Sequence, residues 1–190
     1  MSDDQELIKA FRQGWKEQAR FFSNPAKGER ERWVVGEFLT QLRISFVADE
    51  LVSEPTDGPI DVRFGEACFQ VKELPDPCVQ RGAEIKARLR RAEAATSADQ
   101  LVYPAKAVDT LFTDAVPRVL EHARHVKYVP TRATLDLLFY LTDPHGFVTD
   151  FDRLAGELRL LGWRSVSFLD AKRAQVLVAA DSAPSFLRQQ

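Results

Sequence analysis

The chain has 190 residues, with 26 Lys and Arg against 28 Asp and Glu, and a formal net charge of −2. A composition of 45% hydrophobic and 28% charged residues suits one globular domain, 1–190, with a sizeable core. The near-neutral charge argues against an obligate nucleic-acid coat protein, no apolar run approaches the ~18 residues of a membrane span, and the acidic start Met1-Ser-Asp-Asp-Gln-Glu is unlike a secretory signal.

The spacing predicts an amphipathic helix over Asp3 to Phe22, with Leu7, Phe11, Trp15, Ala19 and Phe22 inward for core packing or dimer contact and Ile8 on the flank. Ser23-Asn24-Pro25 interrupts it, and Pro25 opens a second helix to about Leu42. Val34, Val35, Phe38, Leu39 and Leu42 make its buried stripe, and Glu37 lies off that stripe, where a solvated glutamate is the plain reading. A strand is expected around Phe46-Val47-Ala48, and Asp57-Gly58 is a turn.

Pro59 to Glu73 carries the strongest pattern. Ile60, Val62 and Phe64 alternate with Asp61 and Arg63; after Gly65-Glu66, Ala67, Phe69 and Val71 alternate with Cys68, Gln70 and Lys72. Both arms have the period of two of half-buried strands. Gly65 suits the first central position of a two-residue type II′ turn, where φ is positive. That turn pairs Phe64 with Ala67 and Val62 with Phe69, and it sets Asp61 directly opposite Gln70. One face is then apolar, and the other holds Asp61, Arg63, Gln70 and Lys72 with Cys68 among them. A carboxylate, an amide oxygen and an ammonium on one rigid face can hold a hydrated Mg²⁺. A solvent-exposed strand face with a salt bridge has the same pattern.

Leu74-Pro75-Asp76-Pro77 ends the strand, because two prolines cannot remain in an interior ladder. A helix follows from about Gln80 to Ala95, with Ile85, Leu89 and Ala92 inward and Lys86, Arg88, Arg90 and Arg91 outward. The outer face is either a phosphate-binding surface or a set of ion pairs, Glu84 with Arg88 and Glu93 with Lys86 or Arg90. Lys106, in the connector Tyr103-Pro104-Ala105-Lys106, is a further candidate phosphate contact. Asp114 caps a helix to about Lys127, on which His122 and His125, lacking a third ligand, complement the C-terminal dipole rather than bind zinc. The near-continuous apolar run Leu135–Leu141 is a central strand covered on both faces. Beyond the turn Asp143-Pro144-His145-Gly146, Thr149 caps a helix that Gly162 stops. Val166–Phe168 and Ala174–Ala179 form a second hairpin across Asp170–Arg173, and residues from Ser182 onward are a tail. The two cysteines, Cys68 and Cys78, fit no metal or disulfide framework, which suits a reducing cytoplasm.

Asp61, an eight-residue gap and then Gln70-Val71-Lys72, with Pro59-Ile60 leading, resembles the signature of the PD-(D/E)XK nuclease superfamily. The whole sequence is also similar to a small bacterial family of candidate endonucleases. The resemblance implies an α/β fold of mixed sheet (α+β), with a restriction-endonuclease-like α-β-β-β-α-β core over about 28–142. The first helix and a C-terminal extension of about 143–181 are additions. It implies a Mg²⁺- or Mn²⁺-dependent endonuclease hydrolysing phosphodiester bonds, with Asp61, Gln70, Lys72 and Glu37 as site residues. Glu37, Asp61, Gln70 and the Val71 carbonyl would hold the cation, and Lys72 would orient water and offset phosphate charge. DNA is expected before RNA as partner, and cutting both strands would favour a homodimer. Gln70 in place of Glu removes one charge, so an inactive nuclease-fold module binding nucleic acid or protein is the alternative.

Overall fold

A computed structural model describes residues 3–55, 58–77, 81–102, 112–143 and 145–189. Its elements are α1 (Asp3–Phe21), α2 (Lys27–Gln41), β1 (Val52–Ser53), β2 (Val62–Phe64), β3 (Ala67–Leu74), α3 (Arg81–Ala94), β4 (Thr113–Asp114), α4 (Val116–Arg124), β5 (Asp136–Leu141), β6 (Gly146–Phe147), α5 (Phe151–Arg159), β7 (Ser165–Leu169), β8 (Ala174–Ala179) and α6 (Ser185–Arg188). The class is mixed α/β, with a six-stranded sheet in the order β1-β2-β3-β5-β7-β8 and a small β4-β6 pair. The chain divides into two compact units, residues 1–30 with 77–110 and residues 31–76 with 111–190.

The larger unit is built on the sheet. β1, β2 and β3 run antiparallel, β3, β5 and β7 are parallel, and β8 returns antiparallel at the far edge. The hairpin register is the expected one: Val62 faces Phe69, Arg63 faces Cys68 and Phe64 faces Ala67. Of the two turn residues only Gly65 has positive φ, at 53°, as a type II′ turn requires. β5 is buried along nearly its whole length, because both faces of the sheet are covered. On one face Val34, Val35, Phe38 and Leu39 of α2 pack on Phe69, Leu138 and Leu169. Phe38 and Phe69 meet edge to face at 5.9 Å. On the other, Val119, Leu120 and Ala123 of α4 and Leu154 and Leu158 of α5 pack on Leu74, Leu137, Phe139 and Phe168.

Several expectations change. Phe46–Ala48 does not form a strand. Glu50 accepts the Val47 N–H and shapes a 3-10 turn over Ala48–Glu50, and the edge strand falls later, at Val52–Ser53. α4 stops at Arg124, where the His125 ring nitrogen accepts the Lys127 N–H and a 3-10 turn follows. Asp150, not Thr149, caps α5 through the Arg153 N–H; the Thr149 hydroxyl donates to Asp114 instead. The expected tail is part of the core, since α6 buries Leu187 to 1% exposure beside Phe64 and Phe186. The β4-β6 pair was not foreseen, because two-residue strands carry no readable alternation.

In the smaller unit, Arg12 of α1 donates to the carbonyls at the end of α3, Ala92 at 2.7 Å and Ala95 at 2.8 Å. Ile8 is the residue of α1 that is buried, while Leu7 and Phe11 stay 45% and 41% exposed. The inward face thus keeps Trp15 but turns from Leu7 and Phe11 toward Ile8 and Arg12. No described helix is long and apolar enough to cross a membrane.

Candidate active site

β3 outlasts its neighbour. β2 ends its pairing at Val62–Phe69, while β3 continues to Leu74. Asp61 stands where the missing strand would be. Its N–H donates to the Phe69 carbonyl at 2.8 Å, so it lies just beyond the ladder and not in register opposite Gln70. Its side chain is 5% exposed, and Oδ2 accepts the Val71 main-chain N–H at 2.8 Å and the Gln70 amide N–H. A carboxylate here replaces a ladder carbonyl, which satisfies a main-chain donor that the short β2 cannot reach. The Gln70 nitrogen, not its oxygen, therefore turns to Asp61.

Lys72 follows Gln70 by two residues and shares its face. The register sets Gln70 against Leu137 and Lys72 against Phe139, both in the core beneath α4. His122 of α4 is close enough to Lys72 to feel its charge. The His122 imidazole is held below its ordinary basicity by burial, then by Lys72, with Arg118 adding to the effect. Arg118 donates to Asp143 at 3.1 Å and to the Pro75 carbonyl, at the carboxyl end of β3. The sequence signal for His122 was only its place on an amphipathic helix; nothing in the spacing tied it to Lys72.

Glu37 comes from the other layer. It is half-buried on α2, whose stripe packs against the Phe69 and Leu138 face, opposite the face of Gln70 and Lys72. The structure thus brings Asp61 and Gln70 into contact, with Val71 bound through its N–H and Lys72 beside them, and carries Glu37 on the opposite side. Glu73 alternates away from Lys72, as strand parity requires, and accepts the Thr142 hydroxyl at 2.8 Å.

Among the described residues no three His, Cys, Asp or Glu side chains are grouped as cation ligands. With the Gln70 amide turned over, Asp61, the Gln70 oxygen and the Val71 carbonyl would make an all-oxygen set of one negative charge. Such a set fits a hard cation shared with a substrate phosphate rather than one held tightly alone.

A second buried carboxylate, Asp136, is 1% exposed. It accepts the Cys68 N–H at 2.8 Å, the Ser165 hydroxyl at 2.8 Å and two N–H groups of Arg164. Arg164 also reaches the Glu66 carbonyl at 3.2 Å, pinning the hairpin turn to β7. Burial works against the Arg164 charge, but the hydrogen bond and charge of Asp136 outweigh it and raise its pKa. These groups satisfy one another, which marks the node as architectural.

The basic helix α3 belongs to the smaller unit. Arg88 pairs with Glu84 and lies over the Trp15 ring at 5.0 Å, and Arg91 donates to the Gln100 and Val102 carbonyls. Lys86 and Arg90 are exposed one turn apart. The outer face is therefore part intramolecular tie and part open cation pair. Lys106 lies outside the described residues.

One solved structure similar to this chain is that of a protein of unknown function from Pseudomonas aeruginosa strain PAO1, described as of the Monooxygenase Superfamily. It has 24% identity and a TM-score of 0.59, over 98% of this chain and 92% of that one. At that identity the likeness speaks for the fold alone. No curated protein matches. A family model described as "Putative endonuclease, protein of unknown function (DUF1780)" matches residues 3–190, and the chain belongs to that family.

Proposed function

We propose that this protein hydrolyses phosphodiester bonds of nucleic acid, DNA before RNA, at the face formed by Asp61, Gln70 and Lys72. The observation that carries the reading is the contact of a buried carboxylate, at the start of β2, with the Gln70 amide of β3, and Lys72 two residues on along the same face of that strand. The family description as an endonuclease supports it. So does the succession of α2, the antiparallel β1-β2-β3 meander and the parallel β5, which suits a restriction-endonuclease-like core.

In this reading Asp61, the Gln70 oxygen once its amide turns over, and the Val71 carbonyl would hold Mg²⁺ or Mn²⁺. The cation would lower the pKa of a bound water and offset phosphate charge. Lys72 adds a fixed positive charge where the phosphate oxygens gain negative charge. Its ordinary pKa near ~10.4 makes it a poor base, so its work is electrostatic and positional. His122, with its basicity depressed, adds a neutral imidazole beside Lys72. On the smaller unit, Lys86 and Arg90 of α3 are a separate candidate for phosphate contact, one that reads no sequence.

One observation favours a second reading, a nuclease-fold module that binds without cutting: Asp61 already serves the Val71 N–H and Gln70. Incubation of the protein with single- and double-stranded DNA and RNA, in Mn²⁺ and in EDTA, separates the two. Cleavage of one substrate class that EDTA abolishes is the expected result. Salt-sensitive binding with no cleavage of any substrate overturns the hydrolytic reading and leaves the module.

A further inference from the structure

The parallel strands β5 and β7 end side by side, with Tyr140 opposite Leu169, and the chain turns outward after each. Between these two exits lies a cleft of about 510 Å³, lined by Tyr140, Thr142, Asp143, Phe147, Lys172 and Arg173 among others. Its size falls in the ~300–1,000 Å³ range of small-ligand sites. Its place, beyond the carboxyl ends of parallel strands, is where open α/β sheets bind ligands. β3 is parallel to β5, so Lys72, two residues before the end of β3, sits toward this same end of the sheet.

The cleft has a definite charge. Asp143 is neutralised by Arg118 at 3.1 Å, and it also accepts the Thr113 hydroxyl and the His145 N–H. Asp170 accepts the main-chain N–H groups of Lys172 at 2.7 Å and Arg173 at 2.9 Å, and the Arg173 side chain at 3.4 Å. With both acids offset, the exposed Lys172 leaves the rim cationic. Arg173 is held in place over the Phe151 ring at 4.2 Å. Phe147, 40% exposed, adds an aromatic ring to the lining. Gly146 lies tight against Asp143, three residues before it on the same side of the cleft. A Cβ there would stand 2.9 Å from the Asp143 Cβ.

We infer that this cleft takes one nucleotide of a bound strand, its phosphate on Lys172 and Arg173 and its base against Phe147. Cations at a rim and an aromatic face within it are the two elements that sequence-tolerant single-strand binding uses. The inference rests on the reading of the chain as acting on nucleic acid and adds a subsite to it.

The test is anisotropy of a 3′-fluorescein 12-nucleotide oligothymidylate in EDTA, so that nothing is cut. Lys172→Glu and Phe147→Ala should each raise Kd about fivefold or more, and Lys172→Arg should restore wild-type binding. Lys172→Glu should also flatten the dependence of log K on log salt by roughly 0.7, the share of one phosphate contact on a single strand. Lys9→Glu, the same charge change on α1, should stay within about twofold. Thermal melts of each variant confirm folding, and both cleft side chains are exposed enough to be replaced. Wild-type affinity in Lys172→Glu and Phe147→Ala, or no binding by the wild-type protein, overturns the proposal. If both variants weaken binding while the wild-type protein cuts nothing in Mn²⁺, the subsite stands and the hydrolytic reading falls.

Discussion

The Asp61 carboxylate accepts the Val71 N–H at 2.8 Å, at the point where β3 has outrun β2. One side chain therefore finishes a sheet and supplies the anion of the candidate site. Asp61→Ala should cost about 1–3 kcal/mol, the penalty of stranding a main-chain donor. Asp61→Asn keeps an oxygen for Val71 and should cost less. Urea unfolding of the two variants measures the difference. Equal losses would show that the N–H contact carries none of the effect.

Gln70 touches Asp61 through an amide N–H, a neutral donor facing an anion. Gln70→Glu removes the donor and sets two carboxylates together. The variant should melt below the wild-type protein in EDTA, because like charges repel at this distance. Mn²⁺ should then raise its melting temperature more than it raises that of the wild-type protein, since a ligand stabilises the state that binds it. A Mn²⁺ effect equal in both proteins would mean that no cation sits between residues 61 and 70.

Arg164 and Asp136 lock the amino ends of β5 and β7 to the hairpin turn. Arg164→Ala leaves a carboxylate of 1% exposure without its counter-charge. The cost should be about 3–5 kcal/mol. Chemical denaturation reads it directly. A loss under about 1 kcal/mol would mean that Ser165 and Cys68 suffice to hold the charge.

His122 is less basic in the folded protein than its ordinary value of 6.5, through burial first and Lys72 second. The unfolded chain then binds more protons than the native one between the two pKa values. Stability is complete above about pH 6.5 and falls as the pH drops through the folded-state value. His122→Gln should flatten the melting-temperature profile between about pH 7.5 and 5.5. Parallel profiles for variant and wild-type protein would place the acid sensitivity elsewhere.

The hairpin was legible because its alternation and Gly65 fix register locally, and a tight turn permits one pairing. The apolar run Leu135–Leu141 announced β5 because burial on both faces leaves no alternation to misread. The link from Asp61 to Gln70 was legible in identity but not in geometry: a strand pattern does not say that β2 stops one residue short and its aspartate turns in as an acceptor. The side of the sheet that α2 covers was not legible either. Helical periodicity gives the buried stripe, Val34 to Leu39, but not which face of the sheet receives it, so the sequence could not show that Glu37, expected as a cation ligand with Asp61 and Gln70, comes from the layer opposite Gln70 and Lys72. Arg164 and Asp136 stand 28 residues apart in sequence, and only the parallel β5-β7 register brings them together.

The most direct test of the central claim is the single-turnover nicking rate of supercoiled plasmid in Mn²⁺, for the wild-type protein, Asp61→Asn and Lys72→Met, each confirmed folded by its melting curve. The account predicts nicking by the wild-type protein and a loss of about 10²–10³ in both variants, the size of effect that follows removal of a preorganised charge. Nicking at the wild-type rate in folded Asp61→Asn and Lys72→Met would contradict it.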